Sequence, residues 1–273
     1  MTAARGVTIV IPLLRQRDAW LAQAVRSALA QTVACEVIVV TSPLTPVSNL
    51  EVLEASMRLA PDRLVVVPEA RPGFPAAINT GIGRAAGARV GLLLSDDWLE
   101  PTAVEDCVRL DADIVSSGCV SFAADGTMPL RSLSRIPLRE VYDGLPNAEA
   151  KATYLTHFLL LDKTAVLAVG GLDETLGDAP GIDDYELLWT LLERGATVAL
   201  TERAAYNYRV HDGQRLTLSD RDEQLRVLGR IFDKHGVTGA DRERALGAHV
   251  RWLGRLEYVV AVEWSQGGGE RRA

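Results

Sequence analysis

Two pairs of adjacent carboxylates and a late histidine carry most of the chemistry this chain could do. Asp96 and Asp97 end the short run Gly91-Leu92-Leu93-Leu94-Ser95, and Asp183-Asp184 opens a stretch whose Leu187, Leu188, Leu191 and Leu192 share one helical face. An apolar run that stops at two acids reads as a buried strand delivering them to the open end of a sheet, where ligands of α/β folds sit. Carboxylates there suit a hard divalent cation, Mg²⁺ or Mn²⁺, which keeps positions free for substrate oxygens, so the pair suggests chemistry on a diphosphate. A polar turn with one Asp capping a helix that begins near Pro101 accounts for the same residues. Asp183-Asp184 also reads two ways: as a helix N-cap, or as a proton acceptor held by the packing of its helix and kept ionised by the N-terminal dipole. Arg209 and Arg215 have the guanidinium fork that suits phosphate oxygens, and equally read as surface arginines. Trp98, beside the first acidic pair, is a sugar platform or a core ring.

The elements that must position these groups follow from hydrophobic spacing. Val7 to Leu14 is a β-branched run, read as a first strand buried on both faces as in a parallel sheet. Asp18 stands as N-cap of a helix with Leu21, Val25, Ala28 and Leu29 inward, and Glu36 to Thr41 follows as a second strand, a βαβ unit. Helix Val47 to Leu59, strand Leu64 to Pro68, helix Ala76 to Ala86 and strand Arg89 to Leu94 continue the alternation. A helix from Pro101 to about Leu110 then precedes strands at Asp113 to Ser117 and Cys119 to Phe122. Residues 126 to 150 read as a long loop with a short helix. Strand His157 to Leu161, helix Lys163 to Val169, helix Tyr185 to Arg194 and strand Ala196 to Leu200 complete this part. In the tail, Ser219 with Asp222 resembles a capping box before Leu225, Leu228, Ile231 and Phe232, and Asp241 opens a second helix with Leu246, Val250, Leu253 and Leu256 inward. This hairpin packs on the α/β core or on a second subunit, the latter making a homodimer. Gly267 to Ala273 reads as frayed.

The 273 residues, 48% hydrophobic and 24% charged, allow a large core in one domain with an appendage. A formal charge of −7 argues against a nucleic-acid or anionic-membrane surface. Three cysteines without metal-ligand spacing point to reduced thiols and a cytoplasmic setting, and neither a membrane span nor a signal peptide is expected.

Taken together, the segments resemble the inverting GT-A glycosyltransferases of family 2 from about Val7 to Thr217. Val-Thr-Ile-Val-Ile-Pro, Ala-Val-Arg-Ser-Ala-Leu-Ala-Gln-Thr and Glu-Val-Ile-Val-Val look like the family's opening. Ile78-Asn79-Thr80-Gly81-Ile82, Ser95-Asp96-Asp97, Gly170-Gly171-Leu172-Asp173-Glu174, Asp183-Asp184-Tyr185-Glu186-Leu187 and Tyr208-Arg209-Val210-His211 follow in the family's order. The resemblance implies an α/β fold of GT-A type, a mixed, mainly parallel sheet with flanking helices, spanning 1–218, with 219–273 as a C-terminal helical extension. It implies metal-dependent sugar transfer from a nucleotide-diphosphate donor (UDP-, dTDP- or GDP-linked) to an acceptor hydroxyl, with inversion. Asp184 matches the family's base. Asp97 and His211 would hold Mn²⁺ or Mg²⁺, with Asp96 on the ribose or a metal-bound water. Pro12, Leu14, Thr41, Arg71, Asn79, Arg209 and Arg215 would contact the donor, and Trp98 and Asp183 the acceptor. Two positions depart from the pattern: Thr41 and Ser42 stand where the family's second strand ends in a base-pairing Asp, and Leu94 and Ser95 stand where further acids precede the metal Asp. They leave open a less usual donor, or a catalytically silent nucleotide-sugar-binding or assembly subunit of the same fold. A nucleotidyltransferase would show a Gly-bearing loop where Leu13-Leu14-Arg15-Gln16-Arg17 stands; a glycoside hydrolase would pair Asp97 with Asp184 and bind no nucleotide.

Overall fold

β-branched runs with little to offer water build the middle of the molecule. In this computed structural model, which describes residues 6–131, 133–177, 182–211, 213 and 220–251, the run Val7–Leu13 forms β1 and is buried at every position. β2 (Glu36–Thr41) and β4 (Arg89–Leu92) pair with its two edges, and β3 (Leu64–Pro68) pairs with β2, all in parallel. Burial on both strand faces follows from the crossover helices α1 (Asp18–Leu29), α2 (Val47–Leu59) and α3 (Phe74–Arg84). Helix α3 lies so close to β1 that a Cβ on Gly81 would stand 2.4 Å from a methyl of Val10.

Beyond β4 the chain forms β5 (Trp98–Leu99), α4 (Ala103–Val108), β6 (Ile114–Phe122), α5 (Arg139–Asp143) and α6 (Ala148–Tyr154). β7 (Leu159–Asp162), α7 (Lys163–Ala168), a 3₁₀ turn at Glu174–Leu176, α8 (Asp183–Glu193), β8 (Val198–Arg209), α9 (Arg221–Lys234) and α10 (239–251) follow. Among the described residues the strands form one sheet in the order β3-β2-β1-β4-β7-β6-β8-β5. β7 runs antiparallel to β4 and β6, so it begins at the end of the sheet where β4 stops.

Several expected boundaries change. The two strands expected around residue 118 are one, β6, whose pairing with β8 shifts register at Gly118. β8 continues nine residues past the expected Leu200, through exposed Glu202 in a left-handed conformation (φ 52°), a kink that breaks the alternating pattern. The supposed loop at 126–150 contains α5 and the start of α6. Arg17, not Asp18, occupies the N-cap of α1, and the Asp18 carboxylate instead accepts from Asn49 Nδ2 at 2.6 Å. Asp220 caps α9 by accepting from Asp222 N–H; Ser219 lies outside the described residues, as do Leu253 and Leu256. In α10 the inward position is Ala245, while Leu246 is 36% exposed.

Three of the four expected stripe residues of α9 pack inward on the same cluster as α8: Leu228, Ile231 and Phe232 are buried with Leu187, Leu188, Trp189 and Leu191, joined by Val227, while Leu225 is only half-buried. An ionic latch closes the contact. Lys234 reaches Glu186 and Asp173, each at 2.7 Å, and the His235 ring stacks on Trp189 at 4.0 Å between Glu186 (3.4 Å) and Glu193 (2.8 Å). Burial lowers the His235 pKa, but the two carboxylates outweigh it and raise it above 6.5. A raised histidine stabilises the fold fully below its unfolded value, and that contribution is lost as pH climbs through the folded value. Thermal melts should therefore show stability declining from about pH 6.5 upward, a slope that His235→Phe flattens.

Candidate active site

Where β4 ends, the chain turns and re-enters the sheet as β5, and this turn holds the acidic pair. Asp97 is 1% exposed and both its oxygens are engaged: Tyr206 Oη donates to Oδ2 at 2.7 Å and Arg209 N–H to Oδ1 at 2.7 Å. Burial, then the charge of Asp96, push its carboxyl well above the usual range against those hydrogen bonds. Arg209 is 2% exposed, and its Nε, Nη1 and Nη2 donate to Asp96 O, Ala124 O and Gln23 Oε1 at 2.9, 2.8 and 2.8 Å. Its guanidinium lies 4.7 Å from the Trp20 ring and 4.8 Å from Trp98, and Trp98 also packs on Phe122. Three expectations change as a result. Asp97 is a buried tie between the turn and β8 rather than a group facing a ligand. Arg209 is a pillar under the turn, buried and with each guanidinium nitrogen already held by a protein oxygen. Trp98 covers that pillar and is half-buried by it.

Asp96 faces the other way. Its Oδ2 lies 2.9 Å from His211 Nε2, and the side chains are 16% and 5% exposed. The Gly213 N–H lies 3.1 Å from His211 Nδ1, so Nε2 is the ring nitrogen that faces Asp96. The Trp20 ring packs 4.6 Å from the imidazole. Among the described residues no three His, Cys, Asp or Glu side chains converge as a metal cage. One carboxylate and one imidazole fit the alternative pattern, a nucleotide-associated Mn²⁺ or Mg²⁺ completed by phosphate oxygens and water, and the nitrogen ligand favours Mn²⁺.

The second acidic pair heads α8. Its N-cap is Ile182, so neither acid fills the cap expected of them. Asp183 is 5% exposed and accepts from Asp184 N–H at 3.2 Å, which removes it from the acceptor surface. Asp184 keeps 27% of its side chain exposed; Oδ1 accepts from Tyr185 N–H at 3.0 Å, and Oδ2 lies 3.1 Å from His157 Nε2. Burial raises its pKa, yet the His157 and backbone hydrogen bonds prevail and hold the carboxyl below the usual range. The His157 ring packs on Tyr206 at 5.2 Å, and Tyr206 in turn holds Asp97. One line of contacts thus joins the head of α8 to the turn after β4.

No local motif marks His157 or Tyr206 as part of a site. The signal for His157 lies in topology: a polar residue before a strand antiparallel to β4 lands beside the end of β4. Asn79, expected at the donor, is instead a latch. Its Nδ2 donates to Leu172 O and Glu174 Oε1, each at 2.9 Å, and its Oδ1 accepts from Leu172 N–H at 2.8 Å. Gly171 permits this contact, because it sits at φ 76° and a Cβ there would meet Asn79 Oδ1 at 2.3 Å. Gly171→Ala should destabilise the fold by about 1–3 kcal/mol, read as a lowered midpoint in a denaturant titration. Arg71 is exposed and pairs with Glu174 at 2.7 Å. Pro12 is buried at the end of β1, Leu14 is 52% exposed just beyond it, and half-buried Thr41 donates to Val67 O at 3.4 Å. Arg215 lies outside the described residues. A hollow of about 310 Å³ lined by Arg139, Tyr142, Lys151 and Leu192 sits at the far end of α8, and no candidate residue lines it.

A mainly parallel sheet curled by late antiparallel strands, with an acid at the tip of the fourth strand and another heading a later helix, is a GT-A type fold. The family profile Glycosyltransferase like family 2 matches residues 4–226, and the chain belongs to that family. The chondroitin synthase of Pasteurella multocida (strain Pm70) is 27% identical over 221 residues, 80% of this chain but only 22% of that protein. Among solved structures, the mannosyltransferase PcManGT from Pyrobaculum calidifontis, in complex with GDP-Man and Mn²⁺, superposes with a TM-score of 0.65 at 18% identity. It covers 98% of this chain and 77% of its own. S. aureus TarS in complex with UDP gives 0.59 at 14% identity, over 88% and 68%. Among the described residues no helix is long and apolar enough to cross a membrane.

Proposed function

We propose that this glycosyltransferase moves a sugar from a nucleoside-diphosphate donor to an acceptor hydroxyl with inversion, Asp184 acting as general base and Asp96 with His211 holding Mn²⁺ or Mg²⁺. The observation that carries this is the contact line from Asp184 through His157 and Tyr206 to the turn bearing Asp96. That line supports reading Asp184 and the Asp96–His211 pair as parts of one site. When bound, the cation supplies positive charge against the leaving diphosphate. Asp184 takes the acceptor's proton as its oxygen bonds to the anomeric carbon and the bond from that carbon to the phosphate oxygen breaks. Attack opposite the leaving group inverts the centre. Pro12, Leu14 and Thr41, at the ends of β1 and β2, line the nucleoside side in this reading. Arg71 can exchange Glu174 for a phosphate oxygen because it is exposed. Residues 1–218 form the catalytic unit, and the helices from 219 onward brace α8.

Donors linked to UDP, GDP or dTDP are all compatible with a Thr41 that offers a hydroxyl instead of a carboxylate, and complexes of the structural neighbours hold GDP-Man or UDP. Calorimetry with UDP, GDP and dTDP, with and without Mn²⁺, tests the reading. Metal-dependent binding of one of them is expected. Binding of none would favour a silent subunit of the same fold.

A further inference from the structure

We propose that His157 is the positioning residue of the base, a fixed donor that sets the plane of the Asp184 carboxylate toward the acceptor. The inference rests on the reading of Asp184 as base and goes beyond it. His157 precedes β7, where the antiparallel pairing of Leu159 with Leu92 brings it beside the end of β4. Its Nε2 lies 3.1 Å from Asp184 Oδ2, while Tyr185 N–H occupies Oδ1 at 3.0 Å. One donor on each oxygen stops the carboxylate from rotating and leaves a lone pair on each for an incoming hydroxyl. A lone backbone contact would fix only one of the two.

The imidazole is held so that it can act only as this donor. Nδ1 is buried without a hydrogen-bond partner, so a proton placed there would lose its bond to water, whereas a proton on Nε2 is satisfied by Asp184. With Nδ1 out of reach and Nε2 engaged, His157 has no nitrogen with which to take the acceptor's proton. That task stays with Asp184. Packing on Tyr206, with rings 5.2 Å apart and tilted by 34°, fixes the imidazole, and Tyr206 is fixed by its bond to Asp97. Orientation of the base is thereby referred to the same turn that carries Asp96. The donor also favours the charged carboxylate, so Asp184 gains alignment at the expense of intrinsic basicity. That exchange favours turnover when misplacement of about 1 Å costs on the order of 10²-fold.

Two substitutions separate donation from packing. His157→Phe keeps a ring against Tyr206 and removes the donor; His157→Gln keeps a donor nitrogen at similar reach and removes the ring. Turnover is followed as nucleoside diphosphate released from GDP-mannose and UDP-N-acetylglucosamine with Mn²⁺, water serving as acceptor. His157→Phe should lower kcat by about 10- to 100-fold with donor KM changed less than about two-fold, and His157→Gln should recover most of the loss. Wild-type kcat in His157→Phe, or a Gln variant as impaired as the Phe variant, would overturn the proposal while leaving the transferase reading intact. Ring-nitrogen NMR of the unliganded protein supplies a readout independent of turnover. The His157 proton is expected on Nε2, with its resonance displaced by Asp184→Ala; a proton on Nδ1 would overturn the proposal. A wild-type chain that releases no nucleoside diphosphate would count against the transferase reading, and the NMR result would still decide whether the donor contact exists.

Discussion

Asp184→Asn should reduce turnover by about 10²- to 10⁴-fold, the range spanned by a positioned general base, while affinity for nucleoside diphosphate and Mn²⁺ stays unchanged. The amide keeps the shape of the carboxylate, so an oxygen can still accept from Tyr185 N–H and α8 retains its packing. What disappears is the carboxylate proposed to take the acceptor's proton. Because the loss falls in the transition state, kcat drops and donor KM does not. Calorimetry of the nucleoside diphosphate beside single-turnover kinetics separates the two quantities. Wild-type turnover in this variant would remove Asp184 from the mechanism.

The adjacent acids after β4 should respond to truncation in opposite ways. Asp96→Ala removes the oxygen facing His211, and Mn²⁺ should then no longer improve nucleoside-diphosphate affinity, while the fold loses one hydrogen bond, about 1 kcal/mol. Asp97→Ala leaves the Tyr206 hydroxyl and the Arg209 N–H buried without acceptors. At about 1–3 kcal/mol for each stranded group, the expected loss is roughly 2–6 kcal/mol, measurable by urea titration. A stable Asp97→Ala protein that has lost its metal response, beside an unaffected Asp96→Ala, would reverse the two assignments.

That distinction shows where the sequence stops being readable. The alternation of β-branched runs and helical stripes through Leu94 is legible because each strand of a parallel layer is apolar on both faces, and β1 to β4 lie where that pattern puts them. The order of the late motifs likewise carries the family. Which of two neighbouring acids faces solvent is another matter: it depends on a tight turn and on partners in β8, over one hundred residues away, and no local spacing reports it. Arg209 illustrates the same limit. An arginine two residues before a candidate metal-ligating histidine looks like a phosphate ligand, but here its nitrogens are held by Asp96 O, Ala124 O and Gln23. Asn79 and the Trp98 ring are drawn into packing in the same way, and β8 hides its length behind an exposed, kinked middle.

The grip of α9 on α8 also decides where this protein can be cut. Severing the chain ahead of Arg221 would strip Leu187, Leu188 and Trp189 of their cover and leave Glu186 buried without its lysine. An expression boundary placed ahead of Arg221 would therefore yield sticky, poorly soluble material, whereas one that retains α9 would keep that cover in place.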